Sequence, residues 1–184
     1  MDQIIAIDPD VEKNGVCIIS DNRVELFVFN FSTLIFTFFK NIKTQKDTNP
    51  ALKVKLFVEA GYLNRTFFQP INGNSLIIGR INRNIGENHA TAKQIIACAD
   101  YYGLEPIPTL PVRSTNYKSR GKKITHEQFI DMLKRNNLFC SASVTNQDVR
   151  DAALIAVTYG INNEHSIKDI AVEKKIPQFM QTTL

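Results

Sequence analysis

Apolar residues recur along the chain with two periods, one typical of β-strands and one typical of α-helices. The first apolar run, from Ile4 to Ile7, is bounded by turn residues and predicts a strand buried on both faces. Tight-turn residues at Asp21 and Asn22 then separate two further runs, so the chain is predicted to begin as a three-stranded meander. The predicted strands cover residues 3–8, 15–20, 23–30, 54–58 and 107–110.

Apolar stripes of helical period alternate with the later strands. They predict helices over residues 34–42, 89–102 and 147–160, with Gly103 as the stop of the second. Thr125 and Gln128 form a capping-box pattern that begins another helix. Glycines, asparagines and a proline interrupt residues 65–87, which are predicted to form a long, partly ordered loop.

This order of elements predicts an α/β protein. Three antiparallel strands followed by alternating helices and strands favour a mixed sheet of about five strands, flanked by helices on both faces. The outline resembles the ribonuclease H-like fold. With 184 residues we expect one such domain over residues 1–160, followed by a tail over 161–184 to which no function is assigned.

Composition excludes several classes of protein. A hydrophobic content of 43% with 22% charged residues is ordinary for a globular domain and excludes wholesale disorder. Three cysteines without a C-x-x-C pair support neither a disulfide framework nor a zinc site. We expect no signal peptide and no membrane span, and therefore a reducing, cytoplasmic setting.

Two acidic residues stand where predicted strands end. Asp8 follows the first strand and Glu59 follows the fourth. If these strands are parallel neighbours, the two carboxylates lie at one sheet edge a few Å apart, where ligands of open α/β sheets collect. Each residue alone is also explained as an ordinary turn or strand-end residue.

Two more carboxylates lie on the last predicted helix. Asp148 and Asp151 are three residues apart and flank its apolar stripe, so they could face the strand ends. Asp148 has a second explanation, because Thr145 and Asp148 also have the spacing of a capping box. Four converging carboxylates would repel one another unless Mg²⁺ or Mn²⁺ neutralised them, and two such ions can hydrolyse a phosphodiester.

Three segments together resemble the RuvC family of Holliday-junction resolvases. These are residues 4–9 with Gly15, the strand end at Val58 and Glu59, and residues 148–156. The resemblance implies a ribonuclease H-like fold, a homodimer that nicks branched DNA, and a metal-binding catalytic set. By matching position that set is Asp8, Glu59, Asp148 and Asp151. Asp10 departs from the family, which usually has glycine there, and is either a peripheral ligand or a turn cap.

The same resemblance identifies candidate DNA-binding residues. Tyr62 falls where the family has an aromatic residue that stacks on bases. Residues 113–123 contain five basic residues and no acidic one, which favours phosphate contacts, although a solvated charge run is the alternative. The candidates in this segment are Arg113, Lys118, Arg120, Lys122 and Lys123.

The net charge supports a polyanionic partner only once metal is considered. The formal charge is +4, from 22 basic and 18 acidic residues. If metal neutralises four carboxylates, 14 acidic residues face 22 basic ones and the balance becomes +8. Together with the carboxylate set, the resemblance implies a two-metal, structure-selective DNA endonuclease that resolves Holliday junctions. The alternatives are an inactive junction-binding module and another ribonuclease H-like nuclease, whereas an actin-like ATPase needs a longer chain.

Overall fold

The computed structural model describes residues 2–64, 75–112, 116–117, 122–143 and 145–162. Its strands are β1 (Asp2–Asp8), β2 (Asn14–Ser20), β3 (Arg23–Phe29), β4 (Lys53–Glu59), β5 (Ile107–Thr109) and β6 (Phe139–Cys140). Its α-helices are α1 (Phe31–Thr33), α2 (Lys40–Thr48), α3 (Ser75–Tyr101), α4 (His126–Arg135) and α5 (Gln147–Ile155). π-Helical turns join α1 to α2 (Leu34–Phe39) and extend α5 (Ala156–Ile161), and a 3₁₀ turn (Gly61–Leu63) follows β4.

The six strands form one mixed sheet in the order β5-β4-β1-β2-β3-β6. β1, β2 and β3 are the predicted antiparallel meander, and β4 pairs with β1 in parallel. The predicted ribonuclease H-like architecture is confirmed, with one strand more than expected. That strand, β6, pairs with β3 through only two residues, which is too short to produce a periodic pattern in the sequence.

Helices cover both faces of the sheet, and the alternation of side chains along β1 shows why. Ile5 and Ile7 point to the face packed by the helices between residues 31 and 48 and by the second half of α3. Ala6, between them, points to the face packed by α4 and α5. Each large apolar side chain buried in this way contributes roughly 1.5–3 kcal/mol of transfer free energy. The central strand is therefore buried on both sides, as its apolar run predicted.

The prediction of a loop over residues 65–87 is wrong for the part that the structure describes. Helix α3 begins at Ser75 and continues for 27 residues. Gly79 and Gly86 lower the helix propensity of its first half. Ile78, Ile81 and Ile85 nevertheless recur at helical spacing and are partly buried. This stripe is the sequence pattern that supports the helix despite the two glycines.

The helix predicted over residues 34–42 begins at Phe31 and continues to Thr48, six residues beyond its predicted end. The predicted strand boundaries hold to within a few residues, and α4 begins with the predicted capping box at Thr125. All three cysteines are free thiols. Among the helices of the described ranges, none has both the length and the apolar character needed to cross a bilayer. Residues 163–184, most of the predicted tail, lie outside the described residues.

Candidate active site

The candidate site lies at the carboxyl ends of β1 and β4. Ile7 of β1 is paired with Val58 of β4, so Asp8 and Glu59 follow directly on neighbouring parallel strands. Glu59 is paired with Thr109 of β5 on its other side. The amide of Ala60 donates to the carbonyl of Thr109 at 2.8 Å, which holds the end of β4 in place. The parallel neighbours expected from the sequence are therefore present, and both carboxylates stand at the same sheet edge.

Helix α5 approaches this edge through Gly15. Gly15 is the cross-strand partner of Asp8 in the β1–β2 pair. The main-chain carbonyl of Asp148 occupies the space that a β-carbon on Gly15 would fill. Any larger residue at position 15 would therefore push the first turn of α5 away from the sheet. The absence of a side chain at Gly15 brings the main chain at Asp148 next to the strand pair that carries Asp8.

The four carboxylates interact electrostatically. The pKa of Asp8 is raised well above its usual range, first by burial and then by the negative charges of Glu59, Asp151 and Asp148, with Asp10 contributing least. The other three residues of the predicted set therefore all contribute to the potential at the carboxyl group of Asp8. Burial combined with like charges is an arrangement that concentrates at functional sites.

The donor set suits a hard divalent cation in chemistry and in charge. Carboxylate oxygens are the ligands that Mg²⁺ and Mn²⁺ prefer, and a cation would offset the repulsion that raises the pKa of Asp8. Within the described residues, no three His, Cys, Asp or Glu side chains form a ready metal-ligand group. In the part of the chain that the structure describes, the carboxylates therefore interact through their charges at Asp8 without forming a closed coordination shell.

Asp10 caps the loop between β1 and β2. Its carboxylate accepts a hydrogen bond from the amide of Glu12 at 3.0 Å. Its own amide donates to Oδ1 of Asn14 at 3.1 Å, and Nδ2 of the fully buried Asn14 donates to the carbonyl of Phe29 at 3.2 Å. Of the two roles considered for Asp10, the turn cap is the one these bonds support. Asn14 anchors this loop, which begins directly after Asp8.

The start of α5 is capped differently from the prediction. Asn146 is the N-cap residue, and its Oδ1 accepts from the amide of Val149 at 3.0 Å. The predicted capping box between Thr145 and Asp148 is therefore wrong by one residue, because Asn146 supplies the cap instead. Asp148 lies in the first turn, where a negative charge is favourable for the helix dipole.

Arg150, to which the sequence pattern assigned no role, ties α5 to two other segments. Its Nε donates to the carbonyl of Ile124 at 3.1 Å, and one terminal nitrogen donates to Oε1 of Gln147 at 3.0 Å. The other terminal nitrogen donates to the carbonyl and hydroxyl oxygens of Thr145. A planar guanidinium can satisfy several such acceptors at once. In the sequence, the only indication of a role for Arg150 was its position between Asp148 and Asp151.

A cleft of about 190 Å³ opens beside the carboxylates, and α3 forms its far wall. Asp8 and Glu59 line one side, and His89 is among the α3 residues that line the other. No sequence motif linked His89 to the strand ends, and the predicted helix over 89–102 began too late to show that α3 passes beside them. The pKa of His89 is lowered, first by burial and then by the positive charge of Lys93.

Tyr62 lies in the 3₁₀ turn directly after Glu59 and is partly buried. Burial raises the pKa of its phenol. The ring makes an edge contact with His89 and lies under the ammonium group of Lys93. The tyrosine predicted to contact DNA is therefore held against α3.

The basic segment is only partly described. Lys122 and Lys123 are exposed immediately before Ile124 and α4. Tyr117, which is interleaved with the basic residues, packs on α4, where its hydroxyl accepts from Nδ2 of Asn136 at 3.0 Å. The predicted DNA-binding residues Arg113, Lys118 and Arg120 lie outside the described residues.

Comparison with known proteins returns solved structures only. A scan against protein-family models finds no match, and neither does a search of curated proteins. A complex of Thermus thermophilus RuvC with a Holliday junction substrate is 13% identical to this chain, with a TM-score of 0.48. The match covers 86% of this chain and 92% of that chain. A second Thermus thermophilus RuvC structure is 14% identical, with a TM-score of 0.46, and 85% of this chain and 92% of that one are covered. Both are RuvC proteins, the family that the sequence resembles.

Proposed function

We propose that this chain is a metal-dependent DNA endonuclease that hydrolyses phosphodiester bonds in four-way (Holliday) junctions. The observation that carries the proposal is the burial of Asp8 within the negative potential of Glu59, Asp148 and Asp151. Buried carboxylates that repel one another concentrate at sites where a cation or a reaction makes use of them.

The catalytic and metal-binding residues in this proposal are Asp8, Glu59, Asp148 and Asp151, holding two Mg²⁺ or Mn²⁺ ions. When bound, the ions supply a water-derived nucleophile and stabilise the leaving oxygen of the phosphodiester. The chain itself fixes the positions of the carboxylates. The close approach of the Asp148 main chain to Gly15 sets the first turn of α5, and the bonds of Arg150 keep that turn fixed. The carboxylates are thereby held ready before substrate arrives.

The proposed binding of DNA is supported by the excess of basic residues. Outside the four proposed metal ligands, 22 basic residues face 14 acidic ones, which suits a phosphate backbone. Lys122 and Lys123 are exposed and free of acidic neighbours in the sequence. With Arg113, Lys118 and Arg120 they would contact phosphates, and Tyr62 would stack on a base at the branch point. Symmetric nicking of two opposed strands needs two sites, so the active form would be a homodimer.

The deciding experiment compares three labelled substrates: a synthetic four-way junction, a linear duplex and an RNA–DNA hybrid. Each is incubated with Mg²⁺, Mn²⁺ or EDTA. We expect paired nicks in the junction that EDTA abolishes. Asp8→Asn should abolish cleavage and retain junction binding, whereas Asp100→Asn, an exposed acidic residue on α3, should cleave like the wild type.

Each other outcome overturns a defined part of the proposal. Preferential cutting of the hybrid would make the chain a ribonuclease H-like nuclease of different substrate. Tight junction binding without cleavage under either metal would make it a binding module. Wild-type turnover by Asp8→Asn would remove Asp8 from the catalytic set.

A further inference from the structure

The turn that carries Tyr62 is packed directly against α3. A β-carbon on Gly61 would lie 3.0 Å from Nε2 and 3.1 Å from Cδ2 of His89. The imidazole therefore rests on the main chain of the 3₁₀ turn at the residue before Tyr62. Since Glu59 lies only two residues before Gly61, the same contact links the helix to the end of β4.

Two side chains of α3 hold the Tyr62 ring. The ring centroids of Tyr62 and His89 are 6.3 Å apart with planes at 79°, a T-shaped contact. Nζ of Lys93 lies 5.1 Å from the centroid of the same ring. His89 and Lys93 are four residues apart on α3 and so project from consecutive turns of one helix face. Together they restrict both the tilt and the displacement of the ring.

We propose that His89 and Lys93 are positioning residues that fix the Tyr62 ring next to the carboxylate cleft, as a stacking platform for a nucleobase displaced from the duplex. This inference rests on the proposed function. Gly61, the residue before Tyr62, and His89 both line the same cleft as Asp8 and Glu59, so a base stacked on Tyr62 would lie near the carboxylates. A ring already held in place loses less conformational entropy when a base binds, and stacking tolerates any base sequence.

Four variants separate positioning from direct chemistry. His89→Ala removes the edge contact, and His89→Phe restores an aromatic ring that has no proton to transfer. Lys93→Met removes the charge above Tyr62, and Lys40→Met, an exposed lysine of α2, is the matched control. Junction binding in EDTA, the split between kcat and KM in Mg²⁺, and fluorescence of 2-aminopurine at the branch point are measured for each.

For His89→Ala and Lys93→Met we expect junction affinity to fall about 2- to 10-fold, the range of one aromatic contact. KM should rise with kcat little changed, and the 2-aminopurine signal should report less stacking. His89→Phe and Lys40→Met should behave like the wild type. The double variant Tyr62→Ala with His89→Ala should be no worse than Tyr62→Ala alone, because His89 acts through that ring.

Three results would overturn the inference. A loss of kcat in His89→Phe equal to that in His89→Ala would assign His89 a proton-transfer role. Additive losses in the double variant would mean that His89 contacts DNA itself. Ring resonances of ¹³C-labelled Tyr62 that do not respond to His89→Ala in the DNA-free protein would show that the ring is not held by His89. This last test needs no DNA, so a failure of the proposed function, with no junction bound or cut by the wild type, is distinguishable from a failure of the positioning role.

Discussion

The main-chain carbonyl of Asp148 lies against Gly15, in the space that any side chain at that position would need. Gly15 is also the cross-strand partner of Asp8. One contact between residues that are far apart in the sequence therefore sets the distance between α5 and the end of β1. A second close approach supports the other end of the same helical segment, where a β-carbon on Gly160 would lie 2.6 Å from Cγ2 of Ile4.

The substitution Gly15→Ala should push α5 away from the end of β1. The new methyl group meets main-chain atoms that cannot rotate away, so we expect a loss of about 1–3 kcal/mol in the free energy of unfolding, the usual cost of overpacking. Junction cleavage should fall more than junction binding. Urea denaturation and the cleavage assay measure the two effects.

Gly79→Ala is the matched control for that substitution. No atom lies within 4 Å of a β-carbon at Gly79, in the exposed first half of α3. It should raise stability by about 0.5–1 kcal/mol, because alanine is the better helix former. Equal stability and activity of Gly15→Ala and the wild type would contradict the close packing at Gly15.

Asp8 should make stability in EDTA depend on pH with a defined sign. Its folded pKa is raised, by burial first, above the unfolded value of about 3.9. The folded chain therefore binds this proton more tightly than the unfolded chain does. The stabilising contribution of Asp8 is fully present below about pH 3.9 and is lost as the pH rises through the folded pKa.

Asp8→Asn removes this titration. In EDTA the variant should have the higher Tm near neutral pH, and its advantage should shrink as the pH falls toward about 4, the unfolded pKa of an aspartate. Thermal unfolding of both proteins across that pH range is the measurement. A constant difference in Tm, or a lower Tm for the variant throughout, would mean that Asp8 is not strained by its neighbours.

Divalent metal should stabilise the wild type through the carboxylates. A ligand that binds only the folded state at 100 times its Kd adds about 2.7 kcal/mol, so Mg²⁺ or Mn²⁺ should raise the Tm. The shift should be lost in Asp8→Asn and in Asp151→Asn, and it should persist in Asp100→Asn. An equal shift in all four proteins would place the cation elsewhere.

Arg150→Lys should loosen the start of α5. An ammonium group cannot reproduce the bonds to Ile124, Thr145 and Gln147 together, and unmade bonds at a partly buried site cost about 1–3 kcal/mol. The metal-induced rise in Tm should also shrink, because Asp148 and Asp151 lie on the same turns.

Arg135→Lys is the control for loss of a guanidinium. Arg135 pairs with Asp131 at 2.9 Å on the surface of α4, where 59% and 49% of the two side chains are exposed. Exposed pairs of this kind contribute about 0–1 kcal/mol, so the control should change stability little. A similar small effect of both substitutions would show that Arg150 does not hold α5.

Much of the fold could be predicted from local pattern, because a strand or a helix that buries one face repeats its apolar residues at a fixed spacing. The meander and α5 are examples. The first half of α3 was not predicted as a helix, because Gly79 and Gly86 interrupt its partly buried apolar stripe. Strand β6 was not predicted because its two residues are too few to show a period.

The positions of Asp8 and Glu59 at strand ends could also be predicted from the sequence, because each carboxylate directly follows an apolar run. The contacts of Gly15 with Asp148, of His89 with Tyr62 and of Arg150 with Ile124 could not. Each joins residues from separate elements that are far apart along the chain, and no local spacing encodes such a contact. These contacts arise only when the sheet has formed and the helices pack on its faces. The sequence by itself therefore identified the candidate carboxylates, and tertiary packing determined how they are brought together.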